Sequence, residues 1–292
     1  MTTHCTFLRA GELSAIVGDD VQRGPGGAQY SGVWSLIHQR CASDPVQGAY
    51  AALIASAHRG TGPTLEPIDE RSARLVRTPT ERSPHMTVTG TYTLAEPHHI
   101  DYVYAVGLPP YATGLPTLSE HNWCCYMNSP LDRSIHFIED NVWTTLTPVL
   151  HGQAAMVFPT GLRDERRANW EKRTGEARFR DQDKAFHRSF SGRTFDYPFY
   201  FGVIHGMIFL LMADCHEDFR FYISPSGAGP SSVPGQASPA WDFQWHVHRP
   251  QPGQRHTLNV RIAFFPPGGG GRHPTEQVWQ EWERFRDQHP TR

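Results

Sequence analysis

Along much of the chain apolar and polar residues alternate with a period of two, the repeat of an extended strand whose successive side chains point to opposite faces. In MTVTGTYTLAE, Val88, Gly90, Tyr92 and Leu94 alternate with threonines at 87, 89, 91 and 93. HTLNVRIAFF sets Leu258, Val260, Ile262 and Phe264 against Thr257, Asn259, Arg261 and Ala263, and WDFQWHVH sets Trp241, Phe243, Trp245 and Val247 against Asp242, Gln244, His246 and His248. FRFYIS (219–224), HHIDYVYAV (98–106) and GVWSLIH (32–38) also read as strands, and HNWCCYMNSPLD (121–132) as a strand running into a turn. The pattern predicts antiparallel sheets with one apolar face and one wet face. FYFGVIHGMIFLLMAD is apolar without alternation. It is read as two buried strands, about 197–204 and 207–213, reversing at His205-Gly206 with positive φ.

Two segments leave this pattern. Residues 163–188 are dense in charge and in good helix formers, and are read as an inserted helix or lid. PTEQVWQEWERFRDQ (274–288) places Val278, Trp282 and Phe285 at helical spacing, so an amphipathic C-terminal helix should dock on the body. No internal repeat and no domain boundary stand out. The expectation is a single all-β domain over 1–292: a large antiparallel two-sheet sandwich, of the supersandwich or jelly-roll type, with a charged helical insertion and a C-terminal helix.

Composition narrows the function classes. Lys and Arg number 27 against 29 Asp and Glu, for a net charge of −2, which offers no basic footprint for nucleic acid and no polybasic membrane anchor. No run reaches the roughly 18 apolar residues of a membrane-spanning helix, and the N-terminus lacks the pattern of a secretory signal. The five cysteines form no CxxC pair, which fits reduced thiols and a cytoplasmic setting. No GxSxG, HExxH, GxGxxG or EF-hand motif is present. Any chemistry must come from side chains scattered over several strands.

The alternation in 241–248 gathers Asp242, Gln244, His246 and His248 on one face, with same-face neighbours about 6.5–7 Å apart. A His-x-His pair at that spacing can converge on one ion; the plainer reading is a polar strand face. His99 and Asp101 share a strand parity and could form a histidine–carboxylate dyad, the usual general acid–base unit near neutral pH. In 121–132, Asn122, Tyr126, Asn128 and Asp132 supply directional groups for a hydroxyl-rich ligand, or merely cap a turn. His38 ends an apolar strand and is either a proton carrier or a core-edge histidine.

GVWSL with His38, EPHHID, NSPLD, FDYPFYFG, and SPSG followed by PAWDFQ resemble segments of a group of uncharacterised bacterial proteins with large β-sandwiches in carbohydrate-related settings. The matches are short and spread over roughly 30–265. In that group the strand after PAWDFQ continues with apolar residues, whereas here it reads WHVH; the region 49–59 and the long insertion 163–188 also depart. The resemblance implies architecture and a carbohydrate setting, with Asp242 more group-like than His246 and His248.

The expected function is a carbohydrate-active enzyme, a glycoside hydrolase, lyase or sugar isomerase/epimerase, acting on the concave sheet face. His38, His99, Asp101 and Asp242 are its candidate proton carriers, and Asn122, Tyr126, Asn128, Asp132, Gln244 and Arg261 its candidate substrate contacts. A non-catalytic carbohydrate-binding protein, or a metal-dependent β-barrel enzyme using His246 and His248, are the alternatives. No cofactor is expected beyond a divalent metal at those two histidines. The expected partner is a small polar or saccharide ligand, with no nucleic acid and no membrane; a homo-oligomer is left open.

Overall fold

The computed structural model describes residues 4–19, 30–46, 52–56, 63–79, 85–147, 155–162, 190–224, 239–268 and 274–291. The charged stretch 163–188 and most of the loop after SPSG lie outside the described residues.

The alternating segments form strands where their period predicts. They assemble into a nine-stranded sheet with the spatial order β11 (Val142–Leu146), β10 (Ile135–Glu139), β14 (Phe199–Ile204), β15 (Met207–Ala213), β18 (Arg255–Phe265), β8 (His99–Gly107), β7 (Thr87–Ala95), β6 (Ser72–Arg77), β5 (Thr64–Pro67). A six-stranded sheet follows the order β13 (Phe190–Phe195), β12 (Ala155–Pro159), β16 (Phe219–Ser224), β17 (Ala240–His248), β9 (Leu118–Cys124), β4 (Ala55–Ser56). A three-stranded sheet, β1 (Cys5–Ala10), β2 (Leu13–Gly18) and β3 (Gly32–His38), completes the set. Pairing is antiparallel except between β12 and β13. The β14–β15 hairpin reverses at His205 and Gly206 with φ of 52° and 76°, as its X-Gly turn requires.

The inner faces of the two large sheets share one core. Trp241, Phe243 and Trp245 of β17 meet Trp123 of β9, with Trp123 stacked on Phe243 at 4.8 Å, and face Phe209, Tyr102 and Tyr104 of the opposite sheet. The same core takes in Leu8, Leu13, Val17 and Leu36 of the small sheet. Outside the nine-stranded sheet lies α1 (Pro274–Gln288), whose Val278, Trp282 and Phe285 cover Phe199, Leu210, Met212 and Phe265. That docking is the one expected from the spacing of its apolar residues.

Two expectations need correction. The polar face of β17 is not wet: Asp242, Gln244 and His246 are 2 %, 6 % and 2 % exposed, and only His248 reaches solvent. Sequence alternation reports which residues share a face, and cannot say what covers it. The strand predicted over 121–128 ends at Cys124, after which single bridges, Tyr126 to Ala240 and Met127 to Val46, lead to Ser129 at φ 46°. The residues beyond Cys124 therefore do not continue the parity of Asn122.

Candidate functional site

The sheet register fixes which candidate side chains meet. On the outer face of the six-stranded sheet, Gln244 of β17 lies between Arg220 of β16 and Asn122 of β9, Asp242 lies beside Tyr222, and His246 lies beside Glu120. Direct cross-strand partners have Cβ atoms about 4.5–5.5 Å apart, so these rungs form one polar row. Asp242 Oδ1 accepts the amide hydrogen of Cys125 at 2.8 Å. Arg220 donates to the carbonyls of Glu217 and Phe219 at 2.9 and 3.0 Å, and its guanidinium lies 5.4 Å from the centre of the Phe158 ring. Burial, and next the carboxyl of Asp242, push the Tyr222 phenol far above its ordinary value, so it keeps its proton. Tyr126 sits at the same end, its hydroxyl donating to that of Tyr30 at 2.9 Å; burial pushes this phenol up as well.

The other candidates go elsewhere. His99 does not pair with Asp101. Asp101 takes a bidentate bond from Arg261, its cross-strand partner, at 2.6 and 2.9 Å, and Arg261 lies against the Phe285 ring of α1. A guanidinium one strand away, which bonds both carboxylate oxygens at once, outcompetes an imidazole two residues along. Asn128 donates to the Asp44 carbonyl, and Asp132 accepts from the Ser134 amide, both turn-forming bonds. The rings of His246 and His248 stand 6.2 Å apart, and His248 faces Asp218 at 3.2 Å.

His38 and His99 belong to a second polar cluster, on the far side of the sandwich from the row on β17. Glu12, in the β1–β2 turn, faces His38 Nε2 at 3.2 Å, Arg40 at 3.3 Å and His98 Nδ1 at 4.0 Å, and accepts from Gln39 at 3.0 Å. Glu281 of α1 meets His99 Nε2 at 3.0 Å, His98 Nε2 at 3.5 Å and Arg284 Nη1 at 2.5 Å. Burial pushes the Glu281 carboxyl up, but contacts from His98 and His99 and the charges of His99 and Arg284 outweigh it and hold it far below the usual range. Burial also pushes Glu12 up, outweighed by the Gln39 bond and the charges of Arg40, His38 and His98, which leave it lowered. Burial lowers His38 despite the nearby Glu12.

The separation of Asp101 from the histidines is testable. Asp101→Asn leaves Arg261, whose side chain is 8 % exposed, without its carboxylate, and should lower stability by about 1–3 kcal/mol in urea unfolding.

Arg220 and Tyr222 were missed, although the parity of FRFYIS, with Phe219, Phe221 and Ile223 inward, already places them outward. Glu281 sits one residue from Trp282, so an acid beside the apolar stripe was its signal. Glu12 carried none, since its role depends on how a turn folds over another sheet.

No family model matches the chain, and no curated protein does. Among solved structures, a candidate aldose 1-epimerase from Escherichia coli K12 aligns with 90 % of this chain and 99 % of its own at 9 % identity and a TM-score of 0.48. Heparan sulfate lyase HepC from Pedobacter heparinus aligns with 92 % of this chain and 36 % of its own at 7 % identity and a TM-score of 0.48. A GalM/aldose epimerase homologue from C. elegans aligns with 90 % of this chain and 100 % of its own at 12 % identity and a TM-score of 0.43.

Proposed function

We propose that this chain is a carbohydrate-active enzyme, a glycoside hydrolase, lyase or sugar isomerase/epimerase, with its site on the outer face of the six-stranded sheet. The observation that carries this reading is the buried polar row itself. A carboxyl, an amide, an imidazole, a guanidinium and a phenol occupy neighbouring rungs of two strands, β16 and β17, all at most 6 % exposed. Burying such groups costs free energy that an apolar face would avoid, and clusters of this kind concentrate at functional sites. Their spacing suits a ligand rich in hydroxyls, which needs donors and acceptors on a rigid frame and aromatic rings for its apolar faces.

In this reading Asp242 is the base and Tyr222 the acid. Asp242, oriented by the Cys125 amide, takes a proton from a sugar carbon, a hydroxyl or an attacking water. Tyr222 gives its proton to the oxygen on which negative charge grows, and Gln244, Asn122 and Arg220 hold the remaining hydroxyls.

The test is a panel of mono- and oligosaccharides, followed by reducing ends, by ultraviolet absorbance of unsaturated products and by optical rotation. Asp242→Asn and Tyr222→Phe should each lower kcat by about 100-fold or more on the substrate found, with thermal unfolding unchanged within error. Wild-type kcat in both variants would sink the assignment. Sugar binding without turnover on any substrate would favour the non-catalytic carbohydrate-binding alternative.

A further inference from the structure

We propose that His98, His99 and Glu281 form a binding site for one divalent transition cation, with Zn²⁺ the best match, which ties the C-terminal helix to the nine-stranded sheet. The donor atoms of the three residues lie within 4.8 Å of one another. His99 Nε2 lies 3.0 Å from Glu281 Oε2 and His98 Nε2 lies 3.5 Å from Glu281 Oε1, nitrogen–oxygen separations close to the edge of about 3.3 Å of a tetrahedron built on metal–ligand bonds of about 2.0–2.1 Å. His98 Nε2 is buried and makes no well-formed hydrogen bond among the described residues. Both imidazoles thus turn the same nitrogen toward one carboxylate, and a set of two nitrogens and one oxygen is the donor chemistry of zinc.

The surroundings support the ligands as well. The His98 ring is stacked on Phe265 at 4.9 Å, which fixes its plane. Its other nitrogen, Nδ1, lies 4.0 Å from a Glu12 carboxylate oxygen, which puts a negative charge behind the imidazole, where it favours a bound cation. Arg284 donates to Glu281 Oε1, the oxygen that faces His98. Its side chain is 60 % exposed, so it can swing into water when a cation takes that oxygen. Three protein ligands leave a fourth position for water. The site differs from the one expected at His246 and His248, on the other large sheet.

The test is calorimetric titration of metal-stripped full-length protein with Zn²⁺, and with Co²⁺ for its visible spectrum. One equivalent should bind, with the intense absorption of tetrahedral Co²⁺, and Glu281→Gln and His99→Ala should each weaken binding by about 10-fold or more. With free Zn²⁺ about 100 times Kd, the folding equilibrium constant should rise about 100-fold in wild type. Should the variants not fold, hydrogen exchange of wild type reads the site directly, with slowing on Zn²⁺ addition confined to 96–100 and 274–288. Absence of stoichiometric binding, loss of binding in His246→Ala, or slowing confined to 241–248 would overturn the proposal.

Discussion

Trp282→Ala should lower folding stability by about 3–5 kcal/mol, the cost of removing a buried indole from a core that cannot close over the cavity. Trp282 is 1 % exposed and lies 5.3 Å, centre to centre, from Phe199 and 6.0 Å from Phe285. It is the largest fully buried side chain of α1. A 15-residue helix is marginal by itself in water, so loosening its anchor exposes Phe199, Leu210, Met212 and Phe265 together. Trp282→Phe should cost far less, about 1.5 kcal/mol or below, because among the described residues the indole nitrogen has no hydrogen-bond partner to lose. Guanidinium unfolding of the two variants separates the outcomes. Equal losses would mean that something other than cavity volume governs the helix contact.

Gly202→Val should cost about 3 kcal/mol, the upper end for overpacking. Gly202 lies within β14, and a Cβ built there meets the Trp241 ring at 2.3, 2.7 and 2.8 Å. The ring has little freedom to retreat. Its Nε1 donates to the Arg133 carbonyl at 3.0 Å, Tyr200 holds the Trp241 carbonyl at 2.6 Å, and Phe209 packs beside it at 5.9 Å. Trading Trp241 for Leu in the Gly202→Val background should recover part of the loss, so a double-mutant cycle should show a coupling of about 1 kcal/mol or more. Additive losses would place the strain elsewhere. The same position bears on the polar row, since Trp241 adjoins Asp242: displacing the indole displaces the carboxyl that the Cys125 amide holds.

The alternating segments made the fold legible because period two needs only local information. Strands over 87–95, 199–213, 219–224 and 240–265 lie where the pattern places them, and Val278, Trp282 and Phe285 are the buried face of the helix. Strand order was not legible, since nothing local tells β18 to insert between β15 and β8. The small sheet was visible only in GVWSLIH. Half of the candidate site shared that fate. Asp242, Gln244 and Asn122 came together because their parity held through the register of β17 and β9. His99 and Asp101 separated because each found a stronger partner from a distant part of the chain, Glu281 and Arg261. Tyr126 and Asn128 lost their expected facing where the strand stopped at Cys124.

The place of β18 governs the order in which the molecule can be assembled. It is the last strand in sequence among the described residues, yet it joins β15 on one side to β8 on the other. Until residue 265 has left the ribosome, the β5–β8 meander and the β14–β15 hairpin each present an open hydrogen-bonding edge with no native neighbour. A chain stopped before residue 255 carries two such edges, the kind of surface through which nascent chains pair with one another. Completion of the large sheet therefore waits on residues 255–265, and a chain truncated before them should yield aggregates rather than a smaller sandwich.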